Sequence, residues 1–550
     1  MAIKKRRDWA AIIVGLHIAA VLIGLPIVYG DYYYNILEVK YYYYCGCIIT
    51  MLVALFVYGI IKMTREKRWG RIQIRNLKNV KILEIFSIPD LMLIMFLIVA
   101  AISTVLSPFK FESFWGNEGR FSGLFLLTLY TVVYFCITRC LRVRAWYVDL
   151  CLAAGLVVCI FGLTDFFNLD LLGFEEFLTS SQKANFTSFI GNINMYTQLV
   201  TIYLGVAALM WVGTKNKLRS IWYYFCLWII YLAAITGQSD NAYLSIGALF
   251  AVLPLYAFRS RRGIRRYLIL VVTFLASAKA VQWVSIQYAD QVVAIHSIYN
   301  IIVGFEKLNV VIFGLCAVIA ALYVFDYVTK KQDAQITPWL WRSWLILLVA
   351  AGLAVVFVLY DANIAGNGER YGSLQQYLKF TDSWGSSRGY IWRIALENYE
   401  KMPLIQKLFG HGPDTFGLIT YFNNLAEMID SYHLLFENAH NEYLQYLMTN
   451  GAFGAFFYVA FLVSAFALVI KRRINSVHIM AMLTGVFCYV TQGVVNISQP
   501  IVTPIMWTLL AMSVAGCRKD KKAVTALEES EFQTGDIQEK TEEIPPGQAQ

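Results

Sequence analysis

Long runs of apolar residues, separated by short polar connections, dominate this sequence. A helix needs about 20 consecutive apolar residues to cross the hydrocarbon core of a bilayer. The runs are continuous rather than alternating, which excludes transmembrane strands. We place fourteen such windows near residues 10–28, 42–61, 90–107, 121–138, 146–163, 195–212, 220–237, 242–258, 267–285, 309–328, 343–360, 452–470, 477–496 and 500–516. The pattern predicts an all-α polytopic integral membrane protein with about 12–14 transmembrane helices.

Basic residues concentrate in every second connection between these windows. Examples are Lys4–Arg7, Lys62–Lys81, Arg259–Arg266 and the tail from Arg518. Basic connections remain on the cytoplasmic side of a membrane protein. We therefore expect a multi-pass protein of the cytoplasmic (inner or plasma) membrane with both termini in the cytoplasm. The first window lacks a small-x-small cleavage site, so we expect a retained helix rather than a cleaved signal peptide.

The composition supports a chain that is partly dissolved in lipid. Only 15% of its residues are charged and 58% are hydrophobic, whereas soluble proteins carry about 25% charged residues. The net charge of +10 would suit nucleic acid, but the basic residues occur as short clusters beside apolar runs. We therefore expect the lipid bilayer as a partner and no nucleic acid.

One connection is far longer and more polar than the others, and it lies on the side opposite the basic clusters. Long polar loops of this kind are usually functional. The sequence predicts four parts: transmembrane helices 1–11 in residues 1–360, a large extracytoplasmic loop with the catalytic motifs in 361–451, the C-terminal transmembrane helices in 452–516, and a disordered cytoplasmic tail in 517–550.

The long loop contains an arginine that could bind an anion. Residues 385–393 read GSSRGYIWR, which predicts a helix capped by Ser386 or Ser387 and ended by Pro403. Arg388 would lie in its first turn, beside unpaired backbone N–H groups that favour phosphate oxygens. A solvated surface arginine, or a pair between Arg393 and Glu397 along the helix, is the alternative.

A histidine stands where the loop meets the next apolar window. His440 would lie at the membrane surface, at or just before the start of a helix, and a neutral imidazole there could accept a proton. A polar packing role is the alternative. His411, within Gly410–Pro413, suits a structural turn.

Taken together in order, these segments resemble the O-antigen ligase and polymerase superfamily of bacterial envelope glycosyltransferases. The shared features are His440-Asn441 followed by Gly451 and Gly454, and upstream Arg388, Ile391-Trp392, Pro403, Gly410-His411-Gly412 and Phe416. Residues 116–123 (GNEGRFSG) and 191–194 (GNIN) resemble earlier motifs of the same family. The resemblance spans roughly residues 107–500.

The resemblance implies the fold of the polytopic glycosyltransferase class, with no metal and no other cofactor. The donor would be a glycan on undecaprenyl diphosphate, and the acceptor a hydroxyl of a glycan, lipid or protein. His440 would deprotonate or orient that hydroxyl, and Arg388 would hold the diphosphate. The residues expected to bind substrate are Arg120, Arg393, Asn192, Asn194, Asn441 and Glu442.

This sequence departs from the family at one position. Many relatives carry Ser-Arg-Gly in the turn between the windows at 220–237 and 242–258, whereas this chain reads Gln238-Ser239-Asp240-Asn241. Asp240 stands at the position of the expected arginine. Three explanations are open: the motif is aligned in the wrong register, this branch of the family lacks the arginine, or another base supplies the charge. For the last, Arg120 is the first candidate, ahead of Arg393. The glycines around Arg120 allow a close approach.

Two other functions remain open at this point. A polysaccharide flippase or exporter can also have about fourteen helices, but it should place charges in mid-membrane. Asp165, Asp326 and Lys279 are isolated or lie near the ends of windows. A membrane scaffold gives no reason for the ordered motifs around Arg388 and His440.

Overall fold

A computed structural model describes residues 8–65, 86–117, 119–176, 178–183, 185–296, 298–330, 336 and 338–518 of the chain. Four features of the sequence interpretation lie outside these ranges. They are the basic cluster Lys4–Arg7, most of the segment Lys62–Lys81, Glu118 of the first-loop motif, and the predicted disordered tail beyond residue 518.

The described chain is almost entirely helical. In chain order its helices are α1 (Trp9–Ile27, with a π-helical part at Ala20–Gly24), α2 (Ile36–Arg65), α3 (Ile88–Leu106), α4 (Lys110–Trp115), α5 (Leu124–Cys140), α6 (Trp146–Phe166), α7 (Ser180–Lys183), α8 (Ile193–Gly213), α9 (Lys217–Thr236), α10 (Asn241–Ala257), α11 (Arg261–Gln287), α12 (Ile298–Val303), α13 (Leu308–Thr329), α14 (Trp339–Asn363), α15 (Gln375–Leu378), α16 (Trp384–Lys401), α17 (Leu404–Phe409), α18 (Phe416–Tyr432), α19 (Glu442–Arg473), α20 (Val477–Gln492) and α21 (Thr503–Ala515). Two-residue strands, β1 (Phe186–Thr187) and β2 (Gly191–Asn192), form one antiparallel pair.

The predicted fold class is confirmed. Ten helices of the described chain are long and apolar enough to cross a membrane. They are α1, α2, α3, α6, α8, α9, α11, α13, α14 and α19. Four shorter apolar helices, α5, α10, α20 and α21, coincide with the remaining windows. Each of the fourteen windows thus contains a helix, as expected of a polytopic membrane protein.

Helix α8 forms the centre of the bundle, and α13 and α14 form its periphery. Of the most apolar part of α8, 94% is buried inside the protein, against 6% for α13 and 0% for α14. Large side chains such as Tyr196 and Tyr203 of α8 are fully buried. Because α8 is packed on all sides, its first residues have a fixed position. They contribute to the candidate site described below.

Helix α19 starts ten residues before its predicted window, at Glu442, and bends at Gly451. The φ angle of Gly451 is 72°, and an added Cβ would lie 2.3 Å from the carbonyl carbon of Leu408. Only glycine allows this bend and this close approach. The first turns of α19 are thereby set at an angle to its membrane-spanning part, beside the segment that precedes it.

Candidate active site

The chain makes an unusual left-handed turn immediately before Arg388. Gly385, Ser386 and Ser387 have φ angles of 59°, 57° and 67°. The predicted helix cap at Ser386 or Ser387 is therefore wrong, because a capping residue has an extended backbone. The backbone N–H of Tyr390 bonds back to the carbonyl of Asp382 at 3.1 Å, which closes the turn. The helix ends at Lys401, before Pro403, as predicted.

Arg388 is the first helical residue after this turn, and it is half-buried. Its Nη1 donates to the carbonyl oxygen of Gly385 at 2.7 Å. Its Nε is buried and has no hydrogen-bond partner among the described residues. Burial lowers the pKa of Arg388, and the carboxylate of Asp240 opposes that shift. A buried donor without a partner costs free energy. The Nε of Arg388 can therefore donate to a ligand, which would remove this cost.

The loop that carries His440 is fixed on both sides by hydrogen bonds. The indole N–H of Trp392 donates to the carbonyl of Ala439 at 2.9 Å. The backbone N–H of Ala439 donates to Gln445 at 3.0 Å, and that of His440 to Asn438 Oδ1 at 2.8 Å. His440 itself has a φ of 45°. It stands two residues before α19 begins, as predicted.

The charges of two arginines act on His440. Burial and, to a lesser extent, the guanidinium charges of Arg388 and Arg120 together lower the pKa of its imidazole to about 3. Such an effect requires the three side chains to lie close together in a region of reduced dielectric. The structure therefore brings His440, Arg388 and Arg120 into one cluster, in which the imidazole is neutral at physiological pH.

Arg120 enters this cluster from the loop between α4 and α5. Its Nε and Nη2 both lie 2.9 Å from Glu437 Oε2. The loop is secured by Asp414, whose Oδ2 accepts the backbone N–H groups of Asn117 at 2.8 Å and Ser122 at 3.0 Å. Burial raises the pKa of Asp414 to about 6, against the lowering effect of the Arg120 charge. One carboxyl group thus joins two distant segments of the sequence.

A network of amides lies at the start of α8. Asn194 Oδ1 accepts hydrogen bonds from Ser239 Oγ at 2.7 Å and from Asn241 Nδ2 at 3.0 Å. Its carbonyl accepts one from Asn496 at 3.1 Å. Asp240, between Ser239 and Asn241, accepts the N–H of Ile298 at 3.2 Å. Asn194 therefore fixes the turn that contains Asp240, and the carboxylate of Asp240 acts on the pKa of Arg388.

Asn192 and Asn441, both predicted to bind substrate, cap helices. Asn192 Oδ1 accepts from the N–H of Asn194 at 2.9 Å and so starts α8. Asn441 Oδ1 accepts from the N–H groups of Tyr443 and Leu444, both at 3.0 Å, and so starts α19. Each cap satisfies N–H groups that would otherwise be unpaired. These bonds position the neighbouring Asn194 and His440.

The other two predicted substrate-binding residues, Arg393 and Glu442, have partners within the protein. Arg393 contacts three carboxylates, Asp382 at 3.0 Å, Glu397 at 3.0 Å and Glu427 at 2.8 Å. The alternative pairing with Glu397 is thus observed, and the charge of Arg393 is already compensated. Glu442 is 2% exposed and accepts the hydroxyl of Tyr458 at 2.6 Å. It lines a small cavity of about 40 Å³, which Arg120 also lines.

Metal binding would need several acidic, histidine or cysteine side chains at one point. In the ranges that the structure describes, no group of three such side chains converges. The expectation of a reaction without metal or cofactor stays a prediction.

Sequence reasoning missed three residues that shape this cluster. Asp414 lies within the recognised segment that starts at Gly410, but its two backbone partners are about 300 residues away in sequence. Glu437 pairs with Arg120, and the only sequence feature that pointed to it is its position three residues before His440. Trp392 belongs to the recognised Ile391-Trp392 motif, but the sequence did not indicate a hydrogen-bond partner for its indole N–H.

The chain is similar to a known protein family over part of its length. No curated protein matches the chain. Residues 292–459 match the family model described as O-antigen ligase. The match contains Arg388, Arg393 and His440, whereas Arg120, Asn194 and Asp240 precede it. It confirms, for residues 292–459 of this membrane protein, the resemblance to the O-antigen ligase family that was drawn from the motifs.

Proposed function

We propose that this protein transfers a glycan from undecaprenyl diphosphate to an acceptor hydroxyl at the outer face of the cytoplasmic membrane. The observation that carries the proposal is the convergence of two guanidinium charges on the neutral imidazole of His440. The family match suggests glycosyl transfer in the synthesis of the cell envelope. The family match does not specify the donor, the acceptor or the side of the membrane, and these three points are part of our proposal.

Arg388 is proposed to hold the diphosphate of the donor. Its Nε is buried without a partner among the residues described, and a guanidinium binds phosphate oxygens through two parallel hydrogen bonds. As the glycosidic bond to phosphate breaks, negative charge grows on the leaving oxygen. A cation that is already in place stabilises this charge without reorganisation.

His440 is proposed to accept the proton of the acceptor. The acceptor oxygen attacks the anomeric carbon, and the carbon–oxygen bond to the diphosphate breaks. The bonding electron pair leaves with the diphosphate, while the proton passes to a ring nitrogen of His440. This role requires the neutral imidazole, which is the form that burial favours.

Arg120 is proposed to supply the second positive charge, which relatives place where this chain has Asp240. It lowers the pKa of His440 together with Arg388, and its side chain is 17% exposed. Glu437 holds its guanidinium in place. A diphosphate, with a higher charge than one carboxylate, would compete with Glu437 for the same donors.

The expected orientation places this cluster outside the cell. Arg120 and His440 lie just before α5 and α19 begin, whereas the basic residues Arg139–Arg144 and Lys471–Arg473 lie at the opposite ends of these helices. A single cysteine at Glu400, which is exposed on α16, should react with a membrane-impermeant maleimide in intact cells. Labelling only after the membrane is opened would overturn the orientation.

Lipid-linked glycans in a deletion strain test the reaction itself. Without the transferase, undecaprenyl-linked glycan should accumulate: a single repeat unit indicates a polymerase, and long chains indicate a ligase. Complementation with wild-type protein should clear the intermediate, and complementation with His440→Ala, at equal membrane abundance, should not. Clearance by the variant would remove the proposed role of His440.

The exporter alternative finds no support in the few charged residues within or near the apolar windows. Asp326 pairs with Arg261 at 3.4 Å and with Arg265. Lys279 donates to Gln282 at 2.9 Å and to the carbonyl of Val303 at 3.1 Å. Asp165 accepts the N–H of Ser188 at 2.6 Å. These interactions connect neighbouring helices and loops.

A further inference from the structure

Helix α14 crosses the membrane almost without support from the rest of the protein. None of its most apolar 18 residues is buried inside the described chain. Its contacts with the bundle lie in its first turns, where Trp344 donates its indole N–H to the carbonyl of Ala251 at 2.8 Å. The ring of Trp344 also packs edge-on against Phe258, with centroids 5.4 Å apart. The helix is thus attached at the basic end of the bundle.

A cavity of about 260 Å³ lies between these first turns and the bundle. Its wall is mostly aliphatic and aromatic, and includes Leu209, Leu249, Leu345, Phe466, Leu483 and Phe487. Along α20 it extends from Met480 to Phe487, a rise of about 10 Å. Because the hydrocarbon core is about 30 Å thick, the cavity stays within the leaflet at the basic end. Its shape suits part of an acyl chain.

Two arginines, Arg259 and Arg342, lie at the opening of this cavity. Arg259 lines it directly, and its guanidinium lies 5.3 Å from the ring centre of Trp341. The guanidinium of Arg342 lies 5.5 Å from the centre of the same ring. Two cations that share one indole ring repel each other, and an anion beside them would relieve that repulsion. The combination of an apolar cavity and two arginines matches a lipid with a charged phosphodiester.

We infer that this cavity is a binding site for an anionic phospholipid, with an acyl chain in the cavity and its phosphodiester on Arg259 and Arg342. The lipid would fill the space between α14 and the bundle and hold the two together. The inference does not depend on the proposed transferase activity. The polyprenyl chain of a donor is a poor fit, because the Arg388–His440 cluster that would hold its diphosphate lies at the opposite end of the bundle.

Native mass spectrometry of the purified full-length protein tests the site. The probes are phosphatidylglycerol, phosphatidylcholine with the same acyl chains, and undecaprenyl monophosphate. We expect one tightly retained phosphatidylglycerol, and about tenfold or more weaker retention in the double variant Arg259→Gln/Arg342→Gln. Arg144→Gln, at an exposed arginine outside the cavity, is the matched control and should retain the lipid.

A second variant separates lipid loss from misfolding. Leu345→Trp would fill the cavity from α14, where Leu345 is 42% exposed, so the bundle itself stays unchanged. It should lose the retained lipid while its unfolding temperature without added lipid stays near that of the wild type. Equal retention of both phospholipids, or unchanged retention in the double variant, would overturn the inference. One-for-one displacement of phosphatidylglycerol by undecaprenyl phosphate would assign the cavity to the lipid carrier instead.

Discussion

The indole N–H of Trp392 donates a 2.9 Å hydrogen bond to the backbone carbonyl of Ala439, the residue before His440. Trp392 lies on α16, one helical turn after Arg388, so this bond connects the helix of the arginine to the loop of the histidine. A displacement of about 1 Å in a catalytic group can cost about a hundredfold in rate. The bond is therefore a determinant of the spacing between Arg388 and His440.

Trp392→Phe should lower glycan transfer by about tenfold or more, while protein abundance in the membrane remains similar. The variant removes one hydrogen bond, worth about 1 kcal/mol, but keeps an aromatic ring against Trp384. The matched control is Trp384→Phe, since the indole N–H of Trp384 bonds to Tyr377 at 3.0 Å, away from His440. If Trp392 has only a structural role, both variants should lose the same fraction of glycan transfer activity.

Arg388→Lys should abolish transfer, with a loss of about a hundredfold or more. An ammonium cannot reproduce the bidentate contact of a guanidinium with phosphate. The measurement is turnover of undecaprenyl-diphosphate-linked glycan by purified protein. Wild-type turnover in Arg388→Lys would reduce Arg388 to a simple surface charge.

Arg393→Lys is the matched control for that experiment, because Arg393 lies on the same helix, five residues later. Its three carboxylate partners give it a structural role in our interpretation. The variant should keep transfer within about threefold and lower thermal stability slightly, because exposed ion pairs contribute only about 0–1 kcal/mol. A loss equal to that of Arg388→Lys would restore the sequence-based prediction that Arg393 binds substrate.

Much of the fold follows directly from the sequence. A span of apolar residues in lipid must satisfy its backbone internally, so each of the fourteen windows had to be a helix. The helix start at Glu442 was foreseeable from Asn441 as a cap, and the end of α16 from Pro403. These features depend on residues that are close together along the chain.

The geometry of the site depends on contacts that no local pattern contains. The left-handed turn at Gly385, Ser386 and Ser387 contradicts the ordinary capping preference of serine. Arg393 was expected to be available, yet Asp382 and Glu427 meet it only in the folded chain. Likewise, the resemblance predicted a base in the turn of Asp240, and only the folded chain shows that the carboxylate there raises the pKa of Arg388.

Asp414→Ala should destabilise the protein by about 1–3 kcal/mol, since it removes the carboxylate that accepts the partly buried N–H groups of Asn117 and Ser122. Asp414→Asn should be much milder. Both N–H groups bond to the same oxygen, Oδ2, and a carboxamide oxygen can replace it. Thermal unfolding of both variants in detergent checks this, and equal destabilisation would show that the negative charge itself is required.

The raised pKa of Asp414 sets the direction of a pH effect at that site. Its folded-state pKa of about 6 exceeds the ordinary value of about 3.9. The protonated form is therefore favoured by folding, and this contribution is complete below pH 4 and disappears as the pH rises through 6. Between pH 5 and 7 the stability difference between Asp414→Asn and the wild type should shift in favour of the variant as the pH rises. A difference that is constant with pH would contradict the shifted pKa.

His440 should respond to pH only after the donor binds. In the free protein its pKa is about 3, lowered by burial and then by Arg388 and Arg120, so the imidazole is neutral from pH 5 to 8. A bound diphosphate places negative charge beside the same guanidinium groups and so raises this pKa. Diethyl pyrocarbonate, which modifies neutral imidazole, should therefore label His440 equally at pH 5 and pH 7 in the free protein. With inorganic diphosphate, labelling should fall at pH 5 more than at pH 7, whereas simple shielding would lower both equally. A labelling midpoint near pH 6.5 in the free protein, the ordinary histidine value, would show that neither burial nor the two arginines lower the pKa of His440.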